Sequence, residues 1–439
     1  MTWNAHSIKS FSSLKMVSLI ILLGVSVLES SLCFADNMPK KTTKKQPLKK
    51  KREKKTTEES DAKENEQDTA VTRYPGTSEI DVIAKQAIII DVTTGKILLE
   101  KNADQRMTPS SMSKMMTSYV IEKKIMAGEL TLDTEFPVSE KAWRMGGSKM
   151  FVPLNGMVKL SDLLRGIIIV SGNDACIVAA EGIAGSEEHF VTLLNQEAEK
   201  MGLKNTHFMN TSGWPQEGHY STARDLALLG IRVVKDHPDF YSLYSEKEFT
   251  FGTDNRGRAI KQGNRNPLLY KGETSCDGIK TGHTDDGGYG VTASFVEDGQ
   301  RYVMVVNGLK TMQQRANEAR KLLQWTRANF INKKLYKKGD VIEPAAAVWL
   351  GVKDTIPLTL ADDVNVLALR TASLKPEITL NFDSPLPAPI KQGDAMGKVV
   401  IKVGDMASTV TVLAVEDCEK VGFFTRMWRS FAYLLWGKG

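Results

Sequence analysis

The chain has 439 residues and a hydrophobic fraction of 41%, enough for two or three domains with filled cores. Its formal net charge of +6 is concentrated near the start: residues 1–35 carry +1, residues 36–72 carry +3, and the remaining 367 carry only +2. A folded part so close to neutral excludes a nucleic-acid-binding surface.

Residues 1–35 read as an export signal. Lys9 and Lys15 precede an apolar run, Met16 to Leu28, of the length of a signal-peptide core and short for a bilayer span. Cys33-Phe34-Ala35 offers small residues where a signal peptidase reads, predicting cleavage after Ala35. Two alternatives stay open: lipidation at Cys33, disfavoured because Leu32 stands where a small side chain is wanted, and a retained membrane helix. Residues 36–73 form a disordered, charged linker. A basic run from Lys40 to Lys55 is followed by an acidic run from Glu58 to Asp68, with too little apolar content to offset the entropy of ordering. A solvated tether is favoured over contact of the basic half with anionic lipid or wall polymer. The mature chain keeps Cys176, Cys276 and Cys418, an odd number that leaves no complete disulfide framework. Buried thiols are the plainer expectation, although Cys176 and Cys276 lie close in sequence to motif residues, where either could line the site.

Order is expected from about Tyr74. Ala87 to Val92 is a buried-strand run, and Ile97 to Glu100 returns as its hairpin partner. Pro109 and Ser110 then open a helix with a 3.6-residue stripe of Met112, Met115, Met116, Tyr119 and Val120, ended by Gly128. A second helix runs from Ser161 through Val170 and is broken by Gly172, after which Asp174 is expected to cap a third. Another starts at Ser186 and stops at Gly202, and Thr222 to Asp225 form a capping box ahead of Leu226 to Val234. Strands at Tyr289 to Val296 and Arg301 to Val306 are joined by a hairpin turn, and a helix from Gln314 to Phe330 closes the unit. Strands at both ends with helices between them predict an α/β layered fold with an antiparallel sheet.

Three short strings stand within this stretch: Ser111-Met112-Ser113-Lys114, Ser171-Gly172-Asn173 and Lys280-Thr281-Gly282. Alone, each is weak. Two further S-x-x-K strings occur, Ser12 to Lys15 and Ser60 to Lys63, both in the segments read as removed or unfolded. The first motif puts Ser111 in the first turn of a buried helix with Lys114 one turn on, on the same face and beside free helix N–H groups. A serine needs a neighbouring base to attack a carbonyl, and a lysine serves only if burial or a second cation, with Lys280 the candidate, lowers its pKa. Ser171 and Asn173 are expected on a tight loop between buried helices, where polar groups must be hydrogen-bonded or working. Lys280 and Thr281, just before a strand pair, can hold a carboxylate, while Gly282 allows close backbone approach. The six histidines show no ligand-spaced cluster, so neither a metal nor another cofactor is expected.

Taken together and in this order, the motifs resemble those of serine acyl-transferases that include penicillin-binding proteins and class A β-lactamases. From about Lys85 to Phe330 the chain is similar to low-molecular-mass penicillin-binding proteins that act as D-alanyl-D-alanine carboxypeptidases. Lys114 to Thr117, Ser171 to Cys176, His219 to Asp225 and Asp277 to Thr284 follow that family's strings; Trp214 and Pro215 lie in a loop where it varies. The resemblance implies a β-lactamase/transpeptidase-like catalytic domain over residues 74–333. It implies Ser111 as nucleophile, Lys114 as general base, Ser171 as proton shuttle and Asn173 as a residue orienting Lys114 and the substrate amide. Lys280, Thr281 and Gly282 would bind substrate, with the backbone N–H groups of Ser111 and His283 forming an oxyanion hole. Peptidoglycan stem peptides and β-lactam antibiotics are the implied partners.

Residues 334–418 carry short β-branched runs separated by Gly, Pro and Asp turns, predicting a small all-β domain that resembles the family's C-terminal one. The tail, residues 419–439, is amphipathic: Phe424, Met427, Trp428, Phe431, Leu434 and Leu435 share one face, opposite Gly422, Arg426, Arg429, Ser430, Tyr433 and Gly437. It suits a helix lying in a lipid interface on the outer face of the plasma membrane, with docking on the β domain as the alternative. Rival activities are a class A-like β-lactamase, against which stands the lack of a Glu-x-x-Leu-Asn string between Asn173 and Lys280, a decayed peptidoglycan-binding scaffold, and a D-alanyl endopeptidase.

Overall fold

The computed structural model describes residues 70–436 apart from 271, 273, 274, 373 and 374. The export signal and all but the last residues of the linker therefore lie outside the described residues.

Six antiparallel strands form the central sheet in the order β1 (Thr72–Arg73), β3 (Ile97–Lys101), β2 (Gln86–Asp91), β6 (Gln300–Leu309), β5 (Gly288–Glu297) and β4 (Cys276–Thr284). The continuous apolar run at 87–90 is explained by burial on both faces. Ile88, Ile90, Val303 and Val305 point into a core shared with the helices α1 (Lys114–Met126), α2 (Leu160–Ile168), α3 (Asn173–Ala184), α4 (Glu187–Met201) and α5 (Ala223–Asp236). Ala87, Ile89, Met304 and Val306 point the other way, onto Ala319, Leu322 and Leu323 of α6 (Met312–Asn329). Between β5 and β6 the turn residues Asp298 and Gly299 have φ of +49° and +77°, the geometry whose twist matches that of a right-handed strand pair.

Several expected boundaries moved for local reasons. The Lys280-Thr281-Gly282 motif is not ahead of a strand pair but inside β4, the edge strand of the sheet. Ser111 lies in a 3-10 turn, Ser110–Ser113, that feeds α1. Asp174 does not cap α3, whose N-cap is Gly172; its carboxylate instead accepts from the N–H groups of Met150, Phe151 and Val152 at 2.9, 2.9 and 3.2 Å. Only half of the expected capping box forms. Thr222 Oγ1 accepts from Asp225 N, while the Asp225 carboxylate turns to Asn205 N and Thr206 Oγ1.

Helix α6 passes directly into strand β7 (Phe330–Tyr336), so the all-β unit begins at Phe330 rather than at residue 334. Strand β7 pairs with β10 (Val364–Leu369). A six-stranded sheet lies beside them: β11 (Glu377–Phe382), β13 (Ala395–Val403), β14 (Met406–Ala414), β9 (Thr355–Leu360), β8 (Val341–Trp349) and β12 (Leu386–Pro387). Its core joins the outer face of the central sheet through Trp325 and Phe330, whose rings meet edge to face. The described chain ends in helix α7 (Phe423–Trp436). Arg429 of α7 pairs with Asp354 and donates to Gly351 O, while Phe423, Phe424, Met427 and Trp428 are exposed. The side chains of residues 430–436, among them Phe431, Leu434 and Leu435, are outside the described part. Among the described residues no helix is long and apolar enough to cross a membrane.

Candidate active site

The first motif stands where the chain turns off the sheet. Ser110 has φ +50°, a left-handed conformation that serine rarely adopts, and its Oγ meets Thr284 Oγ1 of the edge strand at 2.8 Å. The next residue, Ser111, is half-buried and turns its hydroxyl toward Lys114 Nζ at 3.0 Å.

Lys114 is 1% exposed, and its amine faces three acceptors: Ser111 Oγ at 3.0 Å, Asn173 Oδ1 at 2.7 Å and the carbonyl oxygen of Ser212. Two of the three can only accept. A neutral amine has two hydrogens and one lone pair, so donation to Asn173 and Ser212 leaves the lone pair for the Ser111 hydroxyl. That is the arrangement required for a base. Burial pushes Lys114 down from 10.5 to about 8, the nearby Arg265 adding to the effect and Cys176 and Asp174 opposing it. Arg265 is thus a cation that assists, and the repulsion between Lys114 and the expected Lys280 is felt at Lys280.

The second motif faces the first. Asn173 begins α3 and anchors its amide by donating to Gly146 O at 2.9 Å. Ser171, φ +62°, accepts at Oγ from Lys280 Nζ at 2.9 Å. Lys280 is 4% exposed and held well below its ordinary range by burial, then by Lys114 and Arg265. Two serine–lysine pairs therefore converge from different elements. On the same strand, a Cβ on Gly282 would meet Pro109 O at 3.0 Å and Ser110 Cβ at 3.1 Å, so the space the glycine opens is filled by the nucleophile's own turn. His283 sets its ring against Tyr289, with centroids 3.8 Å apart and the planes tilted by 32°.

Above these groups is a cavity of about 650 Å³ whose lining includes Ser111, Ser171, Asn173, Thr281, Gly282 and His283. All the predicted site residues thus meet at one place, with Lys114 and Lys280 beneath its floor. Cys176, Cys276 and Cys418 are buried, and none lines the cavity.

The sequence reading missed four contributors. Ser212 supplies a carbonyl to Lys114, from a loop whose N–H groups at Ser212, Gly213 and Trp214 converge on Asn210 Oδ1. Asn-Thr-Ser-Gly at 210–213 is a visible turn signal, but nothing in it points to a lysine 98 residues away. Arg265 and Arg315 line the cavity; Arg315 donates to Arg265 O at 3.2 Å, its Nε has no hydrogen-bond partner among the described residues, and burial lowers it to about 10. Trp214 walls the cavity against Gly147, where an added Cβ would stand 2.9 Å from the indole. Two arginines sharing the cavity wall with Thr281 can receive a carboxylate; a hydroxyl facing a neutral amine can receive an acyl group.

Such a site, on a helical lobe packed against an antiparallel sheet, defines a serine enzyme of acyl transfer. A family model described as D-alanyl-D-alanine carboxypeptidase matches residues 71–311, and the chain belongs to that family. A second, described as the C-terminal domain of penicillin-binding protein 5, matches residues 330–420. D-alanyl-D-alanine carboxypeptidase DacC of Escherichia coli is 38% identical over 356 residues, covering 79% of this chain and 87% of its own length. The crystal structure of penicillin-binding protein 5 from Haemophilus influenzae matches at 36% identity with a TM-score of 0.64, covering 79% of this chain and 100% of that one. Penicillin-binding protein D2 of Listeria monocytogenes, solved with ampicillin bound, matches at 26% identity and a TM-score of 0.50 over 57% of this chain and 99% of that one.

Proposed function

We propose that the chain is a serine-type D-alanyl-D-alanine carboxypeptidase that removes the terminal D-alanine from peptidoglycan pentapeptides. Ser111 Oγ attacks the carbonyl of the penultimate D-alanine while Lys114 Nζ takes its proton. The backbone N–H groups of Ser111 and His283 receive the oxyanion. Ser171, hydrogen-bonded to Lys280, passes a proton to the departing amine. Asn173 orients Lys114 and the substrate amide. Thr281 and Lys280, with Arg315 and Arg265, hold the terminal carboxylate. Water then attacks the ester on Ser111 and frees the shortened peptide. β-Lactams acylate the same hydroxyl, and water releases them slowly.

The observation that carries this reading is the hydrogen-bonding pattern of Lys114: once deprotonated, the amine donates to Asn173 and Ser212 and keeps its lone pair for Ser111. The relatives support carboxypeptidase action because they span both the catalytic and the all-β units. Residues 1–35 direct export and 36–73 act as a linker. Helix α7 holds the enzyme on the outer face of the plasma membrane, its exposed Phe424, Met427 and Trp428 entering the lipid interface.

The test is an assay of purified protein on a pentapeptide beside a cross-linked dimer, with labelled penicillin mapped to its residue. Release of free D-alanine from the pentapeptide and a covalent adduct at Ser111 are expected, both lost in Ser111→Ala. D-alanine release by Ser111→Ala would overturn the assignment, and preferential cleavage of the dimer would make the enzyme an endopeptidase.

A further inference from the structure

His219 belongs to none of the three motifs, yet it is one hydrogen bond from the nucleophile's turn. Its Nε2 lies 2.8 Å from Ser113 Oγ, and that hydroxyl donates to Ser110 O at 2.8 Å. On the other side of the ring, Nδ1 accepts from the N–H of Met209 at 3.2 Å. These partners assign the protons. A backbone N–H can only donate, so Nδ1 is bare and the proton of the neutral ring is on Nε2. Nε2–H then donates to Ser113 Oγ, whose single hydrogen goes to Ser110 O. The imidazole is 5% exposed and set edge-on to Phe208, and burial lowers it to about 4, with His207 and Lys114 adding to the effect. A neutral ring is therefore its state throughout the ordinary pH range.

The two ends of this relay matter to the chemistry. One end is the carbonyl of Ser110, the left-handed residue directly before the nucleophile. The other is the 209–219 loop, which carries the Ser212 carbonyl that accepts from Lys114. His219 thus ties the turn that aims the hydroxyl to the loop that orients the amine.

We propose that His219 is a positioning residue for acylation, holding Ser111 Oγ in register with Lys114 Nζ through the hydroxyl of Ser113. It touches neither substrate nor the reacting atoms. The inference rests on Ser111 being the acylated residue.

The experiment compares His219→Phe, Ser113→Ala, the double variant and His219→Gln, reading the acylation rate constant with a fluorescent penicillin separately from its binding constant, and the thermal midpoint. Phenylalanine keeps a ring in place and removes both hydrogen bonds, whereas the glutamine carboxamide can donate to Ser113 and accept from Met209. H219F and S113A are each expected to slow acylation about 10- to 100-fold, as small misplacements of reacting groups do, with binding within about threefold. The double variant should be no slower than the slower single one, since both remove one relay, and H219Q should stay within about threefold of the parent. Parent-like acylation by H219F, multiplying effects in the double variant, or H219Q as slow as H219F would each overturn the proposal. If H219F fails to fold, S113A and H219Q decide the question. Absence of an adduct on the parent itself would sink the acyl-enzyme reading; a normal parent adduct with a normal H219F rate would sink only this inference.

Discussion

Gly213 and Ser110 touch through their backbones: a Cβ on Gly213 would stand 1.8 Å from the carbonyl oxygen of Ser110. Gly213 also has φ +77°, where side chains are strained. Gly213→Ala must therefore push apart the nucleophile's turn and the loop that supplies the Ser212 carbonyl. A loss of about 3 kcal/mol in urea unfolding is expected, from overpacking and the left-handed backbone together. Penicillin labelling should fall with it. Wild-type stability in this variant would show that the two segments are not in contact.

Lys114 sets the pH dependence. With the amine lowered to about 8, the neutral fraction is about one tenth at pH 7. The acylation rate constant should climb about tenfold per pH unit below 8 and level off above it. A flat profile between pH 6 and 9 would remove Lys114 as the base.

Stability should follow the same group with a definite sign. The folded pKa of about 8 lies below the ordinary 10.5, so between these values the unfolded chain binds more protons. Stability therefore rises with pH through that window, and below pH 8 the penalty is complete and constant. Lys280, also lowered, contributes with the same sign. Denaturant midpoints measured from pH 7 to 10.5, with Lys280→Met as comparison, test this: the variant should show a shallower rise.

Arg315 lines the cavity, its guanidinium is buried, and its Nε has no hydrogen-bond partner among the described residues. Arg315→Ala should raise KM for pentapeptide about 10- to 100-fold, the range of a charge-assisted pair of about 1.5–3 kcal/mol. A substrate whose terminal carboxylate is replaced by an amide should be insensitive to the change. Equal losses on both substrates would mean that the arginine is structural.

Asp174 is fully buried and serves the N–H groups of residues 150–152. Asp174→Ala strands these donors and should cost about 3–5 kcal/mol in urea unfolding. Helix α7 gives a surface test. Phe424→Glu with Trp428→Glu should abolish sedimentation with anionic vesicles and leave pentapeptide turnover unchanged, because neither residue lines the cavity.

Much of the catalytic unit was legible in local pattern. The strand runs at 87–92 and 289–306, the helix starts at Ser186 and Thr222, and the spacing of Ser111 to Lys114 follow from hydrophobic period and capping chemistry, which depend on near neighbours. Asp174 was misread because a capping residue and a carboxylate serving a distant loop look the same in sequence. Gly282 lines the cavity, but nothing in its sequence neighbourhood shows that its missing side chain also makes room for Pro109 and Ser110.

From residue order alone came the motifs, their hydrophobic settings, the two-unit organisation and the amphipathic tail, since periodicity and turn chemistry act over a few residues. Tertiary structure decided which groups meet: Ser212 O on Lys114, His219 on Ser113, and two arginines on the cavity. The first two contacts join residues 98 and 106 positions apart, and burial, not residue type, is what brings the Lys114 amine toward neutrality. Proximity across such distances, and the loss of solvent that follows from it, exist only once the chain has closed on itself.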